Sequence, residues 1–138
     1  MNPTELLIKH EGFRQFPYKD TRGILTVGIG RNLETVGIRE KEARFLLGED
    51  LRITEDLLKA KLSPGQWARW DDVRKAVLLN MAFNLGVAGL FSFEKMILAL
   101  QTDNWDRAAT EMLDSLWAKQ VGNRAVELSE MMKKGDWI

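Results

Sequence analysis

The sequence predicts an α+β fold that is mainly α: a single domain over residues 1–138, with a small antiparallel sheet lobe, a larger helical lobe and a long helix joining them. Three features predict it. Residues 13–38 break into short β-branched and aromatic runs separated by turn residues. Residues 39–62 keep one continuous helical period. From 63 to 138 helical spacing continues among Trp67, Trp70, Trp105, Trp117 and Trp137, and this stretch, with a first helix over 3–11, makes up the helical lobe. A length of 138 residues and 45% hydrophobic content suit one compact domain.

The first helix is defined by its ends. Asn2 is a capping residue, Pro3 suits the first helical position, and Glu5 stands three residues after Asn2, the capping-box spacing. Leu6, Leu7 and Ile8 supply its buried side, and Gly12 stops it, which leaves Glu11 in the last turn. The strands follow as "FPYKD", "ILTVGIG" and "NLETV", with Asp20-Thr21-Arg22-Gly23 as the turn between the first two. So few strands make no core alone and must lean on helices. "REKEARFLLGEDLRITEDLLKAKL" then places Ala43, Leu47, Leu51, Leu58 and Leu62 near one face. Run straight it spans roughly 36 Å, with Gly48 as a point of bending. Ser63-Pro64-Gly65 breaks the chain, and Ser92, Asn104 and Gly122 divide the rest into three or four packed helices. "VRKAVLLNMAFNLGVAGLF" is the central buried one and the turn after it.

Charge and composition exclude several classes. The chain carries 20 basic and 20 acidic side chains, and cut after residue 62 each part lies within one charge of zero. The basic stripe of a nucleic-acid binder is absent. With no cysteine there is neither a disulfide framework nor thiol chemistry. The N-terminus is too polar for a signal peptide, and no apolar run approaches ~18 residues, so the expectation is a soluble protein made in the cytosol, without stable membrane insertion. His10 is the one histidine and no carboxylates stand at calcium-loop spacing, so no metal and no cofactor are expected.

Two carboxylates carry the chemistry. Cleaving a glycosidic bond needs an acid for the leaving oxygen, and a second carboxylate for the positive charge or the attacking water. Glu11 at a helix end and Asp20 at a sheet turn stand nine residues apart, with a chain reversal between them. On spacing alone they read equally as solvated surface charges. The stretch around them, "LIKHEGFRQFPYKDTRGILTVGIGRNL", resembles the active-site segment of the phage-type lysozymes, the T-even muramidase class of glycoside hydrolases. The shared pattern is Glu11-Gly12, then Tyr18-Lys19-Asp20 with Gly23, then Thr26-Val27-Gly28-Ile29-Gly30. "NMAFNLG", "NWDRAA", "WAKQVGNRA" and a closing "GDW" continue in family order, so the resemblance spans nearly the whole chain.

The resemblance implies a lysozyme-like fold and assigns roles. Glu11 would be the general acid, Asp20 the ionised partner that activates water or stabilises charge, and Thr26 the holder of that water through its hydroxyl. Such members invert, which requires room for a water between the carboxyls. Gly28 and Gly30 would let a sugar chain pass close to the backbone, or else mark a twisted strand. Asn32, Phe83 and Gln120 would contact substrate, although Phe83 reads equally as a core residue. Arg124 corresponds to an arginine beside the acid and would orient Glu11, the other reading being a cap on the last long helix. His10 reads as a helix residue facing away from the site. Arg31 stands where the family commonly has a histidine, and Asp50 is the expected partner for it. A short segment between Leu33 and Arg39 implies a reduced sheet lobe and a more open cleft.

The function so implied is hydrolysis of the β-1,4 bond between N-acetylmuramic acid and N-acetylglucosamine in peptidoglycan glycan strands. The protein would be a monomeric endolysin, held in the host cytoplasm until a holin releases it to the cell wall or periplasm, with a prophage product or a tail-associated lysozyme domain as the other origins. Three other readings compete. A lytic transglycosylase needs one glutamate and leaves Asp20 and Thr26 without a task. A non-catalytic murein-binding protein would be expected to have lost Glu11 or Asp20. A phosphate-cradling loop at "TVGIGR" lacks the helix opening and the Lys-Ser/Thr that such loops require.

Overall fold

The computed structural model describes residues 1–138, the side chain of Pro64 excepted. Among the described residues the chain forms three strands and nine helices. It is mainly helical with a small antiparallel sheet, the α+β fold that the sequence predicts. It divides into two compact units, Met1–Leu47 and Gly48–Ile138. Helix α2 (Glu40–Lys61) contributes residues to both, and the division falls at Gly48.

Unit 1 begins with α1 (Pro3–Glu11). Its capping box is complete: the Asn2 side chain accepts from the Glu5 N–H at 3.0 Å and the Glu5 carboxylate accepts from the Asn2 N–H at 3.0 Å. The Gly12 N–H donates to the Ile8 carbonyl and closes the helix. No residue of α1 is buried, so within unit 1 the side formed by Leu6, Leu7 and Ile8 is left uncovered by the sheet, contrary to the expectation for it. The sheet follows in the order β1 (Arg14–Lys19), β2 (Leu25–Gly28), β3 (Arg31–Asn32), each pair antiparallel. Tyr18 pairs with Thr26 and Lys19 with Leu25, and the register shifts between Arg14 and Tyr18. Thr26 pairs with Asn32 and Val27 with Arg31.

The partner of Arg31 is Glu42 on the first turn of α2, and the expected pairing with Asp50 is corrected. Arg31 Nη1 donates to Glu42 Oε1 at 2.8 Å, Nη2 donates to Oε2, and Nη1 also reaches the Gly37 carbonyl at 3.1 Å. The reason is helical rise: Asp50 lies eight residues, roughly 12 Å of helix, beyond Glu42. Glu42 also accepts from the Arg39 N–H at 2.9 Å, which completes one arm of a capping arrangement. The Arg31 hydrogen bond, then the Arg39 N–H, bring the Glu42 carboxyl down to about 2.

Unit 2 joins the later part of α2 to α3 (Pro64–Arg69), α4 (Asp72–Leu85), α5 (Val87–Phe91), α6 (Glu94–Gln101), α7 (Trp105–Leu113), α8 (Leu116–Val121) and α9 (Asn123–Lys134). These are seven helices among the described residues, where three or four were expected after residue 63. The extra breaks are local caps: Asp71 accepts from the Arg74 N–H to start α4, Gly86 at φ 77 ends it, and Ser115 accepts from the Ala118 N–H to start α8. The core is built around α4, whose Val73, Val77, Leu78, Met81 and Ala82 are buried, as the expectation of a central buried helix required. Met96, Leu100, Met112, Trp117, Leu128 and Met132 close on it from α6, α7, α8 and α9. Leu58 is the buried residue of α2, with Leu62 just past its end. Trp70 stands edge-on to Trp105 with ring centres 6.1 Å apart, and its indole N–H donates to Asp103 at 3.1 Å.

Two outcomes follow. Leu58→Ala should cost ~2–5 kcal/mol, because a fully buried leucine leaves a cavity, and a denaturant melt of the variant measures it. Glu42→Gln removes an ion whose folded value is depressed from 4.5 to about 2. The stabilisation from such a group is present above 4.5 and is lost as pH falls through the folded value. The melting temperature of Glu42→Gln should therefore lie below that of the unsubstituted chain at pH 6, and the difference should shrink as the pH approaches 2.

Candidate active site

The turn after β1 builds one side of the site from a four-residue reversal. The Gly23 N–H donates to the Asp20 carbonyl at 2.9 Å, closing the turn. Asp20 Oδ1 then accepts from the Arg22 N–H at 2.8 Å and the Ile24 N–H at 3.0 Å. An aspartate at the head of a turn makes this arrangement readily, since its short side chain reaches the backbone two residues on. The Ile24 N–H, with the Arg22 N–H and guanidinium, outweighs partial desolvation and holds the Asp20 carboxyl below its ordinary 3.8. Oδ1 is thus taken by the turn. Oδ2, with Arg22 Nη2 at 3.9 Å, is the oxygen that a reacting group can meet.

Thr26 belongs to the same network. Its hydroxyl donates to the Ile24 carbonyl at 2.9 Å, and that carbonyl also accepts from the Asp20 N–H at 2.9 Å. Thr26 is buried, with only 3% of its surface exposed. Because its proton goes to Ile24, the hydroxyl is left with acceptor capacity alone.

Glu11 arrives from the other side, as the last residue of α1. It lines a polar pocket of about 510 Å³ with Asp20, Arg14, Tyr18, Lys19, Thr21 and Arg22. The structure therefore brings Glu11 and Asp20 onto one pocket within unit 1. Thr26 reaches it through Ile24 and does not line it. Arg14 stacks over Tyr18, 4.4 Å from the ring centre, which fixes the aromatic wall. Arg14, Lys19 and Arg22 were not picked out from the sequence, since isolated basic residues on a strand and turn carry no pattern.

Gly30 meets Glu11 directly. A Cβ at Gly30 would fall 3.0 Å from Glu11 Cδ and Oε2. Asn32, expected at a substrate position, uses its side-chain oxygen locally and accepts from the Glu34 and Thr35 N–H groups at 2.9 and 3.0 Å.

The remaining expected residues lie in unit 2. Phe83 is half exposed and lines a pocket of about 330 Å³ with Asp50, Ile53, Thr54, Leu57, Ala82, Gly86 and Val87, so it is not a core residue. Gln120 is exposed on α8. Arg124, at the start of α9, donates through Nε and Nη2 to Asn80 Oδ1 at 2.9 and 2.7 Å. One helical turn on, Asn84 Oδ1 accepts from the Trp117 indole at 2.8 Å. The two asparagines of "NMAFNLG" thus hold the two ends of "WAKQVGNRA".

Comparison with known proteins identifies the family. The phage lysozyme family model matches residues 8–134. The chain is 28% identical to the pre-baseplate central spike protein Gp5 of Enterobacteria phage T4 over 99% of its own length, and spans 28% of that protein. It is 25% identical to probable T4-type lysozyme 1 of Dictyostelium discoideum, over 95% of this chain and 93% of the relative. It is 30% identical to the endolysin of Salmonella phage P22, over 82% and 78% respectively. With the motifs in order, the family match across nearly the whole chain and two carboxylates on one pocket, the chain belongs to the phage lysozyme family and is a glycoside hydrolase.

Proposed function

We propose that the protein is a muramidase that hydrolyses the β-1,4 bond between N-acetylmuramic acid and N-acetylglucosamine in peptidoglycan, with inversion. The observation that carries the proposal is the placing of Glu11 and Asp20 on one polar pocket, with Ile24 linking Asp20 to Thr26. Glu11 gives its proton to the glycosidic oxygen as the bond to the anomeric carbon breaks. Water attacks that carbon from the opposite face, and its proton passes to Asp20 Oδ2. The Thr26 hydroxyl, its proton committed to the Ile24 carbonyl, holds from behind the pocket the turn that aims Asp20. Asp20 suits the task because its turn keeps it ionised.

The proposal extends to biology. By similarity to the phage P22 endolysin, the protein would act in host lysis, reaching the cell wall or periplasm from the cytoplasm after a holin opens the inner membrane. It would act as a monomer. Among the described residues no helix is long and apolar enough to cross a membrane.

The test is digestion of purified peptidoglycan with mass spectrometry of the released ends. Reducing muramic-acid ends that disappear in Glu11→Gln support hydrolysis. Anhydro ends would move the protein to the lytic transglycosylases, and no product from either protein would favour murein binding alone. Inversion predicts that the α-anomer appears first in a proton NMR time course. Thr26→Ala should lower kcat by about 10²-fold by loosening the Asp20 turn, while Thr26→Ser, which keeps the hydroxyl that donates to Ile24, should recover much of it. For Asp20, a carboxyl-carbon NMR titration should give a midpoint below 3.8, and Asp20→Asn should lose turnover at every pH.

A further inference from the structure

We propose that Gly30 is a positioning residue for the Glu11 carboxyl, acting by leaving empty the volume its own side chain would take. The inference rests on the reading of Glu11 as the acid and gives Gly30 a different role from a passage for sugar. Eight glycines have positive φ, and six of them, Gly12, Gly23, Gly28, Gly37, Gly86 and Gly122, would have a Cβ in open space. Backbone conformation alone accounts for glycine there. Gly30, at φ 70, carries a second demand: its Cβ would lie 3.0 Å from Glu11 Cδ and Oε2 and 3.2 Å from Cγ. Ordinary carbon contacts are about 3.5–4.0 Å, so one partner has to move.

The hairpin is held in place. Val27 pairs with Arg31 across it, and the Arg31 guanidinium is tied to Glu42 and to the Gly37 carbonyl. Glu11 ends a helix and its outer torsions turn freely, so its carboxyl is the softer partner. A methyl group at residue 30 therefore displaces the acid and leaves the sheet standing. An acid has to come within about 2.6–3.2 Å of the oxygen it protonates, so moving the carboxyl by a few tenths of an ångström spoils that approach.

The experiment compares Gly30→Ala with Gly37→Ala. Gly37 has a similar φ of 66 with open space at its Cβ, so it carries the backbone strain without the collision. The readouts are kcat and KM on soluble peptidoglycan fragments, and the Glu11 carboxyl-carbon resonance followed against pH, assigned with Glu11→Gln. Gly30→Ala should lower kcat by roughly 10-fold with KM within about twofold, and should shift the Glu11 carboxyl-carbon resonance. Gly37→Ala should keep kcat within about threefold and leave that resonance unmoved. An unmoved Glu11 resonance in Gly30→Ala, or a loss carried by KM, overturns the proposal. If the unsubstituted protein released no product, the Glu11 resonances would still decide the contact, which separates failure of this inference from failure of the enzymatic reading. Should Gly30→Ala not fold, the double variant Glu11→Ala/Gly30→Ala removes the opposing carboxyl and should restore folding, and failure of both variants overturns the inference.

Discussion

The peptide group of Ile24 is the joint of unit 1. Its N–H donates to Asp20 Oδ1, while its carbonyl accepts both the Asp20 N–H and the Thr26 hydroxyl. One backbone unit thereby closes the β1–β2 reversal, stabilises the charge on Asp20 and determines which way the Thr26 hydroxyl points. The chemistry depends on this more than on any ion pair, because it divides the work between the two Asp20 oxygens. The turn consumes Oδ1, and Oδ2 remains for a reacting group. Slipping β1 against β2 by one residue would turn Tyr18 to the wrong face and remove the aromatic wall of the pocket.

Gly30 extends the same economy to the acid. A tight β2–β3 connection needs residues able to adopt positive φ, and glycine meets that need without strain. At residue 30 the missing side chain also leaves room beside the Glu11 carboxyl, which a Cβ would approach to 3.0 Å. Turn geometry and a close contact with Glu11 thus meet at one residue. Arg31, immediately after it, ties the hairpin to α2 through Glu42, so the strand that carries Gly30 is tethered to a long helix.

Unit 2 shows a parallel use of paired polar groups at the edge of its apolar core. Asn80 and Asn84 lie one turn apart on α4, so they share a face, and each side-chain oxygen accepts from a donor on the α8–α9 segment. Arg74 does comparable work at the other end of α9, donating to the Met132 and Lys133 carbonyls at 2.7 and 2.9 Å while stacking over Trp105. These contacts satisfy helix-end carbonyls and indole donors that would be costly to leave unpaired. The methionine-rich core around Met81, Met96, Met112 and Met132 fills the space between short helices that meet at varied angles.

What the sequence by itself determined was local. The capping box of α1, the stop at Gly12, the Asp20 turn and the placement of Glu11 at a helix end each rest on partners within five residues, so spacing alone reveals them. Family order was legible for the same reason, since motifs are linear. Tertiary structure alone decided which side chains meet. It gave Arg31 to Glu42 and not to Asp50, exposed Phe83, joined Arg124 to Asn80 and pressed Gly30 against Glu11. The physical reason is common to all of these: hydrogen bonds and steric contacts act over a few ångströms of space, and separation along a folded chain does not measure that distance.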